Sequence, residues 1–393
     1  MNYTLLWKPR KLAASLRNKL THKAGIRQAI KFSEQRFASD PNYRLDLVQE
    51  GFAPRPGVQQ DDSVILKRII AAYKKSKIDQ HSAAEAFNVS NEWLPIYERR
   101  LGAVMNALLS ENIGDLQRMY QNFFRDPCSF GLVGLPVDMQ KNFFRGRIST
   151  KYKKYALADV LHRYELWKKR TRNAYPTTVL ASPLVGNPFG YSMDGVFVRS
   201  GGDYHHYYSH AIKHLVEPKS SKTVVELGGG FGGLAYFLGR DIPGITYIDF
   251  DLPEAIALAS YYLMKALPDH SITLYGEGDL TDASFTRPGI FMLPSFEIMK
   301  MPAKSIDVSF NSYSLAEMSP ATIRLYIQQI ARITRGYFLH INHNKNAVLT
   351  ADNFGVEGHG FNLVSREIAG WTLGINPDSD EFEYLYIDGS GPH

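Results

Sequence analysis

The sequence predicts an α/β fold: a seven-stranded sheet with helices on both faces, preceded by a mainly helical N-terminal region. Three observations carry this. Residues 223 to 251 read TVVELGGGFGGLAYFLGRDIPGITYIDFD, the pattern of a strand, a tight glycine turn, a helix and a second strand. From there on, short apolar runs alternate with helical stretches. Before it, apolar residues recur at helical spacing and glycines are few.

The chain has 393 residues, enough for more than one domain, and 44% of them are apolar. No run of about 18 apolar residues occurs, so no membrane-spanning helix is expected. The single cysteine, Cys128, excludes a disulfide framework and any multi-cysteine metal site. It is expected to be a small buried hydrophobe, which fits a reducing, cytoplasmic-type compartment.

Residues 1–33 form a basic arm with eight basic residues and no acid, while the rest of the chain carries 37 basic and 39 acidic residues, so the net charge of +6 comes from the arm. Lys8, Arg10, Lys11, Arg17, Lys19, Lys23, Arg27 and Lys31 occur before the first acid. Leu12, Leu16 and Leu20 repeat every four residues between them, as in a short amphipathic helix. Two roles are open for it: docking on its own protein with a solvated basic face, or peripheral contact with an anionic membrane surface. It is acid-poor like a transit peptide but lacks the serine richness of that class.

Residues 34–175 read as a helical cap domain. Ile65, Ile69, Ile70 and Tyr73 share one helical face, as do Leu101, Val104, Leu108 and Leu109, and Leu157, Val160, Leu161 and Tyr164. Asn88 or Ser90 is a candidate cap for a helix from Asn91. Residues 176–222 are rich in glycine, proline and aromatics. They predict ordered loops, a hairpin at Gly195 to Arg199 and a helix from Asp203.

Residues 223–393 form the sheet domain. Candidate strands are Thr223 to Leu227, Thr246 to Asp249, Ser271 to Tyr275, Ile306 to Phe310, Tyr337 to Ile341, Asn362 to Arg366 and Phe382 to Ile387. Helices fit Pro253 to Leu267 and Pro320 to Thr334. No long helix separates the last two strands, which predicts a final antiparallel pair.

The glycine turn fits two cofactor classes. Gly228, Gly230 and Gly233 satisfy the dinucleotide pattern G-x-G-x-x-G, whereas Glu226, Gly228, Gly230 and Gly232 satisfy the S-adenosylmethionine pattern E-x-G-x-G-x-G. A dinucleotide lays its pyrophosphate on the helix N-terminus, where the Glu226 carboxylate would repel it. S-adenosylmethionine carries an ammonium and a sulfonium, which an acid stabilises. Asp251, at the end of the second strand, suits the ribose diol, with Asp249 as the alternative. Glu277 or Asp279, after the third strand, is a candidate acceptor for the adenine amino group.

The stretches VVELGGGFGGLA, YIDFDLPEAI, LYGEGDL and SIDVSFNSYSLAEMSP resemble the bacterial sugar O-methyltransferase family. The resemblance covers about residues 180 to 390 and reaches the helical part only through NEWLPIYERRL and YQNFFRDP. It implies a class I methyltransferase (Rossmann-like) fold with a reversed last strand. It also implies S-adenosyl-L-methionine as cofactor, and a saccharide as acceptor: free, nucleotide-linked, lipid-linked or polymeric. The FDLPE segment resembles the Asp-Leu-Pro turn of small-molecule O-methyltransferases, which places Asp251 and Leu252 at the cofactor. Some sugar methyltransferases of this kind use Mg2+, for which Glu317 is the candidate ligand, although no compact oxygen-ligand motif is visible.

In-line methyl transfer needs a positioned acceptor oxygen and a destination for its proton. His343, just past the fifth strand, is the first candidate for general base, since an imidazole titrates near neutrality. Glu317 is the second, as a base, an orienting acid or a metal ligand. Asn311 is expected to line the cofactor or the substrate. Asn187 and Tyr191 in GNPFGY are candidates for an amide and a stacking face in sugar recognition. Arg199 is a candidate partner of the cofactor carboxylate. His206 and His210 share a helical face, yet no third zinc ligand has suitable spacing.

Two competing functions follow from the same residues: an NAD-dependent sugar oxidoreductase, and a non-catalytic glycan-binding or scaffold subunit. Nucleic-acid partners are not expected, because the basic residues lie in the arm and no base-flipping motif follows the fourth strand. The oligomeric state is not encoded legibly.

Overall fold

The computed structural model describes residues 24–55, 60–89, 94, 97–133, 143, 148–219, 221–278, 285, 287–344, 347–374, 376 and 378–389. The Leu12, Leu16 and Leu20 helix, the Ser90–Asn91 cap, and Asp279 lie outside them.

The helical part contains α1 (Leu45–Phe52), α2 (Ser63–Gln80), α3 (Gly102–Leu109), α4 (Ile113–Tyr120) and α5 (Thr150–Arg170). Caps account for several starts. Asn112 accepts from Asp115 N ahead of α4, and Ser149 accepts from Tyr152 N ahead of α5. A small hairpin follows, β1 (Gly190–Met193) and β2 (Val196–Arg199), in register Tyr191 to Val198. It begins earlier than the sequence suggests and turns at Asp194–Gly195, both with positive φ.

The second part holds α6 (Gly202–Val216), β3 (Thr223–Leu227), α7 (Gly233–Asp241), β4 (Thr246–Asp251), α8 (Pro253–Ala266), β5 (Ile272–Leu274), β6 (Gly289–Pro294), β7 (Ile306–Ser312), α9 (Pro320–Ile333), β8 (Thr334–His343), β9 (Phe361–Ile368) and β10 (Glu381–Asp388). The sheet order is β5-β6-β4-β3-β7-β8-β10-β9. The strands from β5 to β8 are parallel, and β10 runs antiparallel to both β8 and β9. The last strand in sequence, β10, is thus the reversed one, as the sequence predicts for the final pair.

Eight strands form this sheet among the described residues, not seven. The additional one, β6, lies between Pro288 and Pro294 and reads GIFMLP. It is buried on both faces, so its apolar residues run on without alternation, and its flanking prolines give it the look of a loop. By inserting beside β4 it moves β5 to the sheet edge.

Alternate strand residues supply opposite faces. Val224, Tyr247, Met292 and Val308 pack with α6, α7 and α8, while Val225, Ile248, Phe291 and Leu293 pack with α9. The first of these cores continues without a break into the N-terminal helices, through Leu66, Ile69, Tyr120, Phe123, Leu161 and Trp167. Polar anchors fix the junction. Buried Asp62 accepts from Tyr261 Oη at 2.8 Å and pairs with Lys265 at 2.7 Å, and Tyr73 Oη donates to Glu254 at 2.8 Å. No helix among the described residues is long and apolar enough to cross a membrane.

Candidate functional site

The parallel strands β3, β4, β7 and β8 end on one side of the sheet, and the candidate residues gather there. The glycine turn follows β3. Gly228, Gly230 and Gly232 have φ of 77°, 62° and 86°, a region open to glycine without strain. Close approach reinforces the requirement at Gly228, where a Cβ would fall 2.5 Å from Ser314 Oγ.

The first three backbone N–H groups of this turn are engaged. Gly228 N donates to Phe250 O at 2.9 Å, Gly229 N to Asp249 Oδ1 at 3.1 Å, and Gly230 N to Asp251 Oδ2 at 3.0 Å. Asp251 Oδ1 accepts from Leu252 N at 2.6 Å as α8 begins. Glu226 Oε2 accepts from Tyr247 Oη at 2.5 Å. Three carboxyl groups therefore converge on one turn. Burial pushes Glu226 and Asp251 up to about 7 each and raises Asp249 as well, with the neighbouring acids adding to the rise. Asp249 Oδ2 is buried without a hydrogen-bond partner.

Asn311 is fully buried. Its amide nitrogen donates to Leu227 O at 2.9 Å and to Ser314 Oγ at 2.6 Å, and its oxygen accepts from Asn342 Nδ2 at 2.9 Å. Asn342 in turn accepts from Ala316 N at 3.1 Å. This amide pair locks the end of β7 to β3 and β8. Between Ser312 and Ser314 stands Tyr313, with φ of 66° and ψ of −31°, a strained backbone for a bulky residue. Its ring stacks on Tyr204 at 6.2 Å and meets His343 at 5.4 Å. Tyr204 Oη lies 2.5 Å from Ser312 Oγ.

His343 ends β8, about a third exposed, and its Nδ1 lies 3.3 Å from Asp380 Oδ1. Glu317 closes the short turn after β7, partly buried and within the electrostatic field of Asp251. His343, Glu317, Glu226, Gly228, Gly230, Gly232, Asp251 and Leu252 thus all lie at the carboxyl edge of the sheet.

Other candidates lie elsewhere. Glu277 is carried to the sheet edge with β5, where it pairs with Arg68 at 2.6 and 2.8 Å and accepts from Leu274 N. The strand beside β4 ends instead in Pro294, opposite Asp251. The Asn187 amide is spent on Asn122 at 3.0 Å and on the backbone of Arg55. Arg199 is buried, with Nη2 at 2.9 Å from His205 Nδ1 and its guanidinium 4.6 Å from the Phe231 ring. It braces the glycine turn from behind. His206 accepts from Trp167 Nε1 at 3.1 Å, and His210 meets Tyr175 Oη at 2.8 Å, so each is held by an aromatic residue. Among the described residues no three His, Cys, Asp or Glu side chains form a metal-binding group.

Sequence reasoning missed Tyr247, Ser314, Asn342, Tyr313 and Asp380. A tyrosine inside a buried strand was a signal for the first, since its hydroxyl needs a partner. The others act through contacts between distant segments.

The fit to S-adenosylmethionine rests on donor chemistry. Acids at the ends of β3 and β4 suit an ammonium and a ribose diol, and the glycine positions leave room for close approach. Gly230, for example, has only Leu132 O, at 3.4 Å, near the place of a Cβ.

Residues 205–295 match the family model described as the O-methyltransferase domain. That span runs from within α6 to the end of β6 and contains the glycine turn and all three acids. No curated protein matches the chain. Similar solved structures include a SAM-dependent methyltransferase from Aquifex aeolicus, at 14% identity over 56% of this chain and 98% of that one, TM-score 0.32. Another is magnesium protoporphyrin IX methyltransferase from Synechocystis PCC 6803 with bound SAM, at 11% identity over 58% and 96%, TM-score 0.33. A third is an N-methyltransferase from Bradyrhizobium japonicum WM9 with S-adenosyl-l-homocysteine, at 12% identity over 58% and 98%, TM-score 0.33. Likeness of this degree carries no inference about ligand or acceptor.

Proposed function

We propose that this protein is an S-adenosylmethionine-dependent O-methyltransferase whose acceptor is a hydroxyl of a saccharide. One observation carries the choice of cofactor class. The amides of Gly228, Gly229 and Gly230 are committed to Phe250, Asp249 and Asp251, and the side-chain charges bonded to the turn are carboxyls. An anionic dinucleotide meets repulsion there, and a cationic nucleoside cofactor meets attraction. This disfavours the NAD-dependent reading.

In this reading Glu226 faces the cationic amino-acid end of the cofactor and Asp251 accepts from the ribose hydroxyls. The cofactor, when bound, supplies an electrophilic methyl group. The chain supplies the rest. Tyr247 holds Glu226 in place. Ser314 and Asn311 fix the turn through Leu227 O. His343, steadied by Asp380, takes the proton of the acceptor hydroxyl. Glu317, in the field of Asp251, helps confine the cationic centre. Saccharide as the acceptor class is supported by the resemblance of GNPFGY and NSYSLAEM to the sugar O-methyltransferase family.

Calorimetric titration tests the cofactor: S-adenosylhomocysteine binds and NADH does not. Mass spectrometry of saccharides incubated with enzyme and S-adenosylmethionine, with and without Mg2+, tests the reaction through gain of one methyl group. Turnover also rules out a purely scaffolding role. Absence of S-adenosylhomocysteine and S-adenosylmethionine binding would overturn the proposal.

A further inference from the structure

Helix α5 carries an arginine that the turn-based reading does not use. Arg163 Nε donates to both carboxylate oxygens of Asp159, one helical turn earlier, at 3.0 Å each. Both side chains are largely buried, at 16% and 14% exposure. The two terminal nitrogens of Arg163 make no hydrogen bond to any described residue. A guanidinium braced through Nε in this way is oriented, with four N–H donors left to offer.

The groups around it are short of partners too. Asp203 is fully buried at the start of α6, and its Oδ1 accepts from Tyr204 N, while Oδ2 has no partner. Tyr191 Oη and Glu381 Oε2 are also buried without partners. Of ten such atoms among the described residues, these three lie in the field of the one guanidinium. Tyr313 lies there as well, and its ring touches His343. The cluster therefore adjoins the candidate base, with Glu381 directly across the strand pair from His343.

Its chemistry selects a ligand class. Arg163 and Tyr191 donate; Asp203 and Glu381 accept when ionised. The charge of Arg163 is already balanced by Asp159, and burial pushes Asp203 up to about 6 and raises Glu381. A carboxylate or phosphate would meet these acids and be repelled. A hydroxyl both donates and accepts, so adjacent hydroxyls satisfy donors and acceptors together.

We propose that Arg163, Asp203, Glu381 and Tyr191 form the acceptor-recognition subsite, and that it binds neighbouring hydroxyls of a neutral saccharide ring beside the hydroxyl that is methylated. This rests on the methyl-transfer reading for its role, but binding can be measured without turnover.

Saturation-transfer NMR on the full chain, with methyl glycosides of neutral hexoses, uronates and hexose phosphates as probes, is the test. Transfer to at least one neutral glycoside is expected, with uronates and phosphates at least tenfold weaker. R163K, which loses the planar fork but keeps the charge, weakens that binding at least tenfold, while the S-adenosylhomocysteine affinity stays within twofold. Y191F removes one hydroxyl and no charge, so it stands in if R163K does not fold, with an expected loss of about fivefold. Saturation transfer to none of the probes, preference for the anionic probes, or affinity unchanged in the folded variant would overturn the subsite. Failure of S-adenosylhomocysteine to bind wild type would instead remove the methyl-transfer reading, and the glycoside titration would still decide the subsite.

Discussion

Tyr247 Oη donates to Glu226 Oε2 at 2.5 Å, so β4 holds the carboxylate that β3 presents. The bond favours the charged form of an acid that burial otherwise pushes up to about 7. Tyr247→Phe deletes it with little change in shape. A hydrogen bond to a charged group contributes about 1.5–3 kcal/mol. The variant is expected to bind S-adenosylmethionine roughly 10- to 100-fold more weakly near pH 7, and the deficit should shrink at pH 8.5, where Glu226 ionises without help. Calorimetry at the two pH values checks this; an equal deficit at both would separate the tyrosine from the ionisation of Glu226.

The three acids make stability depend on pH in a defined direction. Glu226 and Asp251 rise from carboxylate values to about 7 on folding, so the folded chain holds protons that the unfolded chain has released. Their contribution is full below about pH 4 and is lost as pH rises through about 7. Each pH unit crossed in that window removes up to ~1.4 kcal/mol per group. The ligand-free protein should therefore lose thermal stability between pH 5 and pH 7.5, apart from other titrations. A bound cation favours the ionised acids, so the stabilisation by S-adenosylmethionine should grow over the same range. Thermal denaturation across pH, with and without cofactor, measures both slopes; replacing Glu226 by Gln should flatten them.

Much of this site was readable from the chain because its information is local. Glu226, the glycines and Asp251 lie within one strand-turn-helix-strand unit, where spacing alone implies the turn. His343 was expected just past a strand and is instead the last residue of β8. The strand β6 was not found, since prolines at both ends and burial on both faces erase the alternation that marks a strand. That omission had a consequence for Glu277, which was placed beside the cofactor as if β5 neighboured β4. Arg163, Asp203 and Glu381 come together from three distant segments, and no spacing rule relates them. Asn311 illustrates a different limit: a polar residue at a strand end reads as a ligand group, yet its amide is consumed by Leu227, Ser314 and Asn342.

The contact between Gly228 and Ser314 yields a stability prediction. Alanine at Gly228 takes on a positive φ, at about 1–2 kcal/mol, and also drives its Cβ to 2.5 Å from Ser314 Oγ. Gly244 has nearly the same φ, 76°, and open space around it, so it isolates the backbone cost. Gly228→Ala is expected to destabilise more than Gly244→Ala by at least ~1 kcal/mol, as overpacking does. Adding Ser314→Gly should return much of the difference. Chemical denaturation of wild type and the three variants provides the comparison, and failure of the second change to help would locate the strain elsewhere.

His343 and Asp380 should act as one unit. With Nδ1 facing a carboxylate at 3.3 Å, the favoured tautomer carries its proton there and leaves Nε2 free to accept one. A general base contributes about 10²- to 10⁴-fold, so His343→Gln should lower kcat by that order while KM changes little. Asp380→Asn keeps the size of the side chain and loses the charge that fixes the tautomer, and it should lower kcat by roughly tenfold or more. The double variant distinguishes orientation from independent roles. If Asp380 works only through His343, removing it from His343→Gln costs nothing further, because coupled residues are not additive. Steady-state kinetics on the two single variants and the double variant make the test, with cofactor affinity measured alongside. Losses that multiply in the double variant would show that Asp380 serves the site by another route.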